Sequence, residues 1–429
     1  MTPKKQQNNK KQEPYWPLWE RLDLTAPKFD KASGEILPQK PQNTDGNLVK
    51  ILIYDPRFQL HIRKNDLADL IEYKGEAISD YIVLKIKLWI EEIYSLKASK
   101  DRVFDAIYFV AHEQRYDPLR IFLEGAHEQW IDAGRPDMIR RLLPDYFGTV
   151  DDELHQELGA RWMIAAAARG LATSDNPVKA DSMLILCGPQ GAGKSTGVAA
   201  LAGADFYSDS HLDMRSKEAY QMIHSGAWIW EMAELHALRG RDSENVKMFL
   251  SAVRDRWRRP YERTTTIKVR RCLFIGSSND ESGILSDPSG SRRFWPVHIG
   301  QIDIEAIKRD RIKLWGQAVS LAKAGAPHYL DSAALSGALK NHSEKYTHTD
   351  PWEAIIASAM TAHPGGLTTP QLLTGDREEG GRLLWGVGMP QSQQHSGHAR
   401  RAAAILQRLG YKKHRVTIDG IRVSKWRAK

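Results

Sequence analysis

The chain has 429 residues and a formal net charge of +8, too long for one ordinary core and basic enough to point to a polyanionic partner. No apolar stretch is long enough to span a bilayer, and the Lys/Gln/Asn-rich start, Met1 to Gln12, lacks the apolar segment of a secretory signal. The two cysteines, Cys187 and Cys272, lie in or beside apolar runs, so a disulfide scaffold is not indicated and a reducing cytoplasm is expected.

Residues 1–47 are expected to form a disordered tail and an irregular arm, since Pro, Lys and Asp dominate and apolar clusters are few. A mainly helical N-terminal domain is expected over 48–177. It opens with a strand at Val49–Asp55 and a partner at Gln59–Ile62, followed by helices around Ile82–Ile93, Val103–Glu113, Leu119–Ile131 and Asp151–Leu171. The loop Ala172–Pro177 is the expected boundary. From 178 to 326, strands (Met183–Cys187, Ala227–Glu231, Arg271–Gly276) alternate with helices (after Ser195, Arg215–His224, Glu244–Arg254, Ile302–Ala324). Such alternation predicts a mainly parallel sheet covered by helices. A linker is expected over 327–351. Over 352–429 the helices Trp352–Ala362, Thr369–Leu373 and His398–Leu409 precede two short strands turned at Asp419–Gly420, the order of a winged-helix-like domain. From Arg400 onward about ten basic residues stand against the single acid Asp419.

Within the alternating region, Gly188-Pro189-Gln190-Gly191-Ala192-Gly193-Lys194-Ser195 is a complete G-x-x-x-x-G-K-S loop, followed by Thr196 and flanked by a strand pattern before and a helix pattern after. Glycines let successive N–H groups turn inward onto phosphates, Lys194 reaches the β and γ phosphates, and Ser195 ligates Mg2+. ATP and Mg2+ are therefore the expected cofactors. Glu231 closes the strand Trp228–Glu231 and is the candidate magnesium-side acid, with Glu234 as candidate base or water-positioning group. Asn279, after the strand Cys272–Gly276, can reach the γ phosphate or the attacking water, and Arg292 and Arg293 can point a guanidinium at a phosphate, including one in a neighbouring subunit. Basic and aromatic residues interleave from Arg254 to Arg271. That pattern makes Arg256, Arg258, Arg259 and Lys268 candidates for DNA contact, with Arg400, Arg401, Arg408, Lys412, Lys413 and Arg415 in the C-terminal region. No metal site built from protein ligands alone is expected, because the His-Glu-Gln stretches at His112 and His127 lack a second histidine and no Cys-x-x-Cys pair exists.

With these motifs in order, the chain resembles the virulence-associated protein E family, phage and mobile-element ATPases allied to superfamily three helicases within the AAA+ group. The matching residues are the Gly188 loop, Trp228–Leu235, Val246–Ser251, Asp255 with Arg258-x-Pro260-Tyr261, Asn279 and Gly290-x-Arg292-Arg293-Phe294, with Tyr116–Leu123 and Trp162–Gly170 upstream. Ser277-Ser278-Asn279 stands where Thr-Thr-Asn is more usual, and no primase segment lies ahead of the ATPase. The resemblance implies an α/β AAA+ P-loop core in the cytoplasm of a bacterial host. It also implies an oligomeric ring, hexameric or similar, that carries single-stranded DNA, touches duplex through the winged helix and works beside a primase or host replication protein. The expected function is an ATP-hydrolysing DNA motor, a replicative helicase or initiator. The alternative is an ATPase switch that loads or regulates replication proteins without processive unwinding.

Overall fold

The computed structural model describes residues 16–214, 216, 218–233, 242–258, 265–279, 285, 292–346, 350–378, 383–418 and 421–428. They form two units: 1–284 with 288–345, and 285–287 with 346–429.

In the first unit, Thr44 caps a helix α1 (Asp45–Tyr54) by accepting from the Asn47 N–H. Leu48, Ile51 and Leu52 are buried at helical spacing, so the strand expected at Val49–Asp55 is a helix; the cap and the i, i+3, i+4 pattern override the β propensity of Val and Ile. After the short antiparallel pair Lys28–Phe29 with Ile36–Leu37, the next strand is β1 (Ile62–Asn65), antiparallel to β2 (Leu70–Tyr73) and parallel to Arg115–Tyr116. Helices α2 (Asp80–Tyr94) and α3 (Lys100–Glu113), capped by Ser79 and Ser99, close a small core around Ile86, Ile90, Ile107 and Val110. Leu18 and Leu22, in the stretch expected to be an irregular arm, are buried in that core.

Asp117 and Pro118 start α4 (Pro118–Asp132), and Asp152 caps α5 (Glu153–Gly170). Every residue of α5 from Leu158 to Ala167 is buried, Arg161 among them in an ion pair with Glu157, so the helix runs through the larger core. There the Trp162 indole donates to Phe274 O at 3.3 Å and the Trp228 indole to Ala166 O at 2.9 Å. The core therefore does not divide at Ala172–Pro177: α4 and α5, expected in a separate helical domain, share one core with the sheet.

Along the chain follow β3 (Met183–Cys187), α6 (Lys194–Ala202), β4 (Tyr207–Ser208), β5 (Ile229–Ala233) and α7 (Asp242–Ser251). An antiparallel hairpin, β6 (Arg254–Trp257) and β7 (Thr266–Val269), precedes β8 (Leu273–Ser278) and β9 (Phe294–His298). The sheet has the order β9-β3-β8-β5-β4, and each neighbouring pair is parallel. The helix expected over Glu244–Arg254 thus ends at Ser251, and Arg254 begins β6. Strand β9 was not expected, because Pro296 argues against a strand; at the sheet's edge its missing N–H is tolerated.

Helix α8 (Ile304–Lys323) packs on α4, where a side chain on Gly316 would lie 2.3 Å from Ala126 O, so only glycine permits this approach. Its Trp315 indole donates to Leu201 O at 2.7 Å, fastening α8 to α6. The stretch expected as a linker over 327–351 contains α9 (Ala333–Ser343), whose Leu339 is buried in the large core.

The second unit contains α10 (Pro351–Ala362), α11 (Thr369–Thr374), α12 (Ser396–Arg408) and a hairpin of β10 (Lys412–Ile418) and β11 (Ile421–Arg427). A short strand pair, Asp376–Arg377 with Leu383–Trp385, lies between α11 and α12. Ile356, Leu372, Ile405, Leu406 and Trp426 fill its core, and the Trp426 indole donates to Thr369 Oγ1 at 3.0 Å.

Candidate nucleotide and nucleic-acid sites

The Gly188 loop connects the C-terminal end of β3 to the N-terminus of α6, where unpaired N–H groups and the helix dipole favour an anion. Gly191 (φ +82°) and Gly193 (φ +80°) hold the left-handed conformations that turn the chain back over the helix end. Lys194 is buried and donates to Gly188 O (2.8 Å), Pro189 O (2.9 Å) and Asn279 Oδ1 (2.9 Å). Burial holds its pKa below the ordinary lysine value, against the opposing pull of Cys187 and Glu231.

Because β8 lies between β3 and β5, residues far apart in sequence meet at one sheet end. Ser195 Oγ donates to Glu231 Oε1 at 2.8 Å, and the Tyr207 hydroxyl, from β4, donates to Glu231 Oε2. Glu231 is only 2 % exposed. Desolvation and the bond to Glu231 push the Tyr207 phenol well above its usual range, so it remains a donor. No strand was expected at Tyr207, and its only sequence signal is an aromatic hydroxyl beyond the loop and its helix. Two hard oxygen donors, Ser195 Oγ and the Glu231 carboxylate, converge beside the loop, a set that fits Mg2+. Asn279 follows the end of β8, whose Ser278 is in register with Cys187 and accepts from the Gly188 N–H at 3.2 Å. Glu234 lies outside the described residues.

Arg292 and Arg293 are not brought to this end. Arg293 leads into β9, its carbonyl accepting from Met183 N at 2.6 Å and its Nε lying 3.1 Å from Asp181 Oδ2. Phe294 is level with Met183 and His298 with Cys187. At about 3.3 Å per residue the pair therefore sits roughly 20 Å along the sheet from its own loop. Arg292 is exposed, and its carbonyl accepts from the Trp295 indole at 3.0 Å.

The β6–β7 hairpin divides its charges by face. Asp255 and Arg270 are buried, with Arg270 Nε donating to Asp255 Oδ2 at 2.9 Å and His224 Nε2 at 3.0 Å from the same oxygen; Arg270 also donates to Phe249 O. Burial alone would raise the Asp255 pKa, but the bonds from His224 and Arg270 outweigh it and hold the carboxyl below its ordinary value. Arg169, fully buried, donates to Cys272 O and Ala252 O, and desolvation lowers its pKa to about 10. Arg256 and Arg258 are exposed, as a DNA contact requires. Lys268 is not: its ammonium lies 3.0 Å from Asp69 Oδ2 at the side of a cavity of about 730 Å³. Arg259 lies outside the described residues.

Replacing Asp255 by Ala strands the Arg270 charge in the core and is expected to cost about 3–5 kcal/mol, read from urea unfolding of the full chain. Because the folded pKa of Asp255 is depressed, its stabilisation is complete above the unfolded value and lost as pH falls through the folded one. Asp255→Asn should accordingly flatten the acid limb of stability against pH.

In the second unit two candidates are engaged by acids. Arg401 is clamped by Asp350 (2.8 and 2.7 Å) and lies 4.1 Å above the Trp352 ring, and Arg408 pairs with Glu353. Both stitch α12 to α10, because the acids at the start of α10 face them. Arg400, Lys412, Lys413 and Arg415 are exposed.

A parallel α/β sheet with this loop at the end of a central strand defines a mixed α/β protein compatible with a P-loop core. The chain belongs to the virulence-associated protein E-like domain family, whose profile matches residues 125–348, more than half of its length. Among solved structures, the A-form apo structure of the NrS-1 C-terminal region is 12% identical; the match covers 68% of this chain and 76% of that one, with a TM-score of 0.41. The X-ray structure of JCV helicase is 15% identical, with coverage of 62% and 79% and a TM-score of 0.22. No curated protein matches. Among the described residues, no helix is long and apolar enough to cross a membrane, and no cluster of His, Cys, Asp and Glu could hold a metal ion on its own.

Proposed function

We propose that this protein is an ATP-hydrolysing motor acting on DNA during replication of a phage or mobile element, assembled as a ring with nucleotide sites between subunits. One observation carries the reading. Lys194, Ser195, Glu231 and Asn279 meet at one end of three adjacent strands, while Arg292 and Arg293 lie toward the other end, an arrangement that suits their use by a neighbouring copy. In this reading the Gly188 loop and the start of α6 bind the phosphates of ATP. Mg2+ would be held by Ser195 and Glu231, supplying positive charge to the phosphate oxygens. Tyr207 and Ser195 fix the Glu231 carboxylate, and Asn279 stands beside Lys194 to sense the terminal phosphate. The assignment of Glu234 as the group positioning water rests on the sequence. The exposed Arg256 and Arg258 edge of the β6–β7 hairpin contacts single-stranded DNA, and the second unit acts as a winged helix on duplex.

The reading is tested by particle size, DNA-stimulated hydrolysis and strand displacement on forked DNA in one preparation. Hydrolysis without displacement would replace the motor by an ATPase switch. Glu231→Gln keeps two hydrogen-bonding oxygen or nitrogen atoms but removes the charge. It should lower turnover about 10²–10³-fold while nucleotide still binds, as measured by fluorescent-nucleotide titration.

A further inference from the structure

In the second unit the strand register sorts the basic residues of the terminal hairpin onto two faces. Lys413 stands opposite Trp426, which is buried with its ring 5.8 Å from the Lys413 ammonium, so that face meets the unit's core at Trp426, while Lys413 and Arg415 on it are themselves exposed. The other face places Lys412 directly opposite Arg427, and His414 directly opposite Lys425. Lys412, His414 and Arg427 are exposed and Lys425 is half-buried. Arg427 uses its Nε on Gly365 O at 2.9 Å and keeps its terminal nitrogens for other acceptors. Between Lys412 and Arg427 in the sequence the one acid is Asp419.

Like charges directly opposite one another on a sheet repel and destabilise the pairing. The like-signed Lys412–Arg427 pair, with Lys425 next along the same face, is a standing cost to the fold, relieved when a polyanion lies across the ribbon. A two-stranded ribbon is also narrow enough to enter the major groove of duplex DNA, where phosphates flank it on both sides. The helix α12, where a winged helix would place its reading residues, is poorly free to do so: Arg401 and Arg408 are held by Asp350 and Glu353.

We infer that the second unit grips duplex DNA through the β10–β11 ribbon, with Lys412, Lys425 and Arg427 on the phosphates and His414 between them, and not through the cationic side chains of α12. This deepens the proposed function and rests on its placing of duplex DNA at the second unit. The test is duplex affinity of the full-length protein without nucleotide, measured by fluorescence anisotropy across a salt series. Lys412→Ala combined with Lys425→Ala should weaken binding at least about tenfold and lower the slope of log affinity against log salt by about two. Its melting midpoint should stay equal or rise, because repulsion is removed; a structural role would lower it. Arg400→Ala, on the exposed side of α12, should change affinity less than twofold. If Arg400→Ala weakens binding and the ribbon variant does not, the inference is overturned while the duplex reading stands. If the unaltered chain binds no duplex, the reading beneath it falls as well.

Discussion

Lys194→Ala is expected to reduce ATP turnover about 10²–10³-fold, the cost of deleting one charged donor aimed at developing charge in a closed site. The ammonium is buried among Gly188 O, Pro189 O and Asn279 Oδ1. Burial lowers its pKa, and the negative charge of a phosphate beside it would favour the charged form. The variant also leaves the Asn279 amide without its partner, so Asn279→Ala should show part of the same loss. Steady-state hydrolysis with nucleotide titration separates the two contributions. Turnover within tenfold of the unaltered protein would remove the loop from catalysis.

The second large effect concerns the arginine pair. Arg292→Ala or Arg293→Ala should lower hydrolysis about 10³–10⁵-fold if one of these guanidiniums completes a neighbour's site. Arg293 already faces Asp181 in its own chain, whereas Arg292 is exposed, so Arg292 is the better placed to reach outward. Arg293→Ala would in addition leave Asp181 unpaired at the start of β3, and its effect should include a fall in melting temperature that Arg292→Ala lacks. Mixing either variant with unaltered protein discriminates the mechanism. A site shared between copies loses activity more steeply than dilution, and proportional loss would sink the shared site.

Local chemistry was legible in the residues. The glycines at 191 and 193, the strand before them and the helix after them appear where spacing placed them, because each depends on neighbours within a few positions. The terminal hairpin was equally plain, since alternation on either side of Asp419-Gly420 in the sequence predicted two strands, and these pair in register. Val49–Asp55 misled because the same apolar residues satisfy a strand and a helix, and Thr44 decided between them. Strand β9 was hidden by Pro296, which matters in a central strand and not at an edge.

The sequence by itself determined the loop, its lysine and serine, the acid closing the next apolar strand and the concentration of positive charge at the chain end. Only the tertiary structure decided what those residues meet. The order β9-β3-β8-β5-β4 sets Glu231 and Asn279 beside the loop, adds Tyr207 and carries Arg292 and Arg293 to the far end. It also removed Lys268, Arg401 and Arg408 from the free cations by supplying Asp69, Asp350 and Glu353. The reason is physical: backbone conformation answers to residues a turn away, whereas strand order and ion pairing depend on which distant segment burial brings alongside.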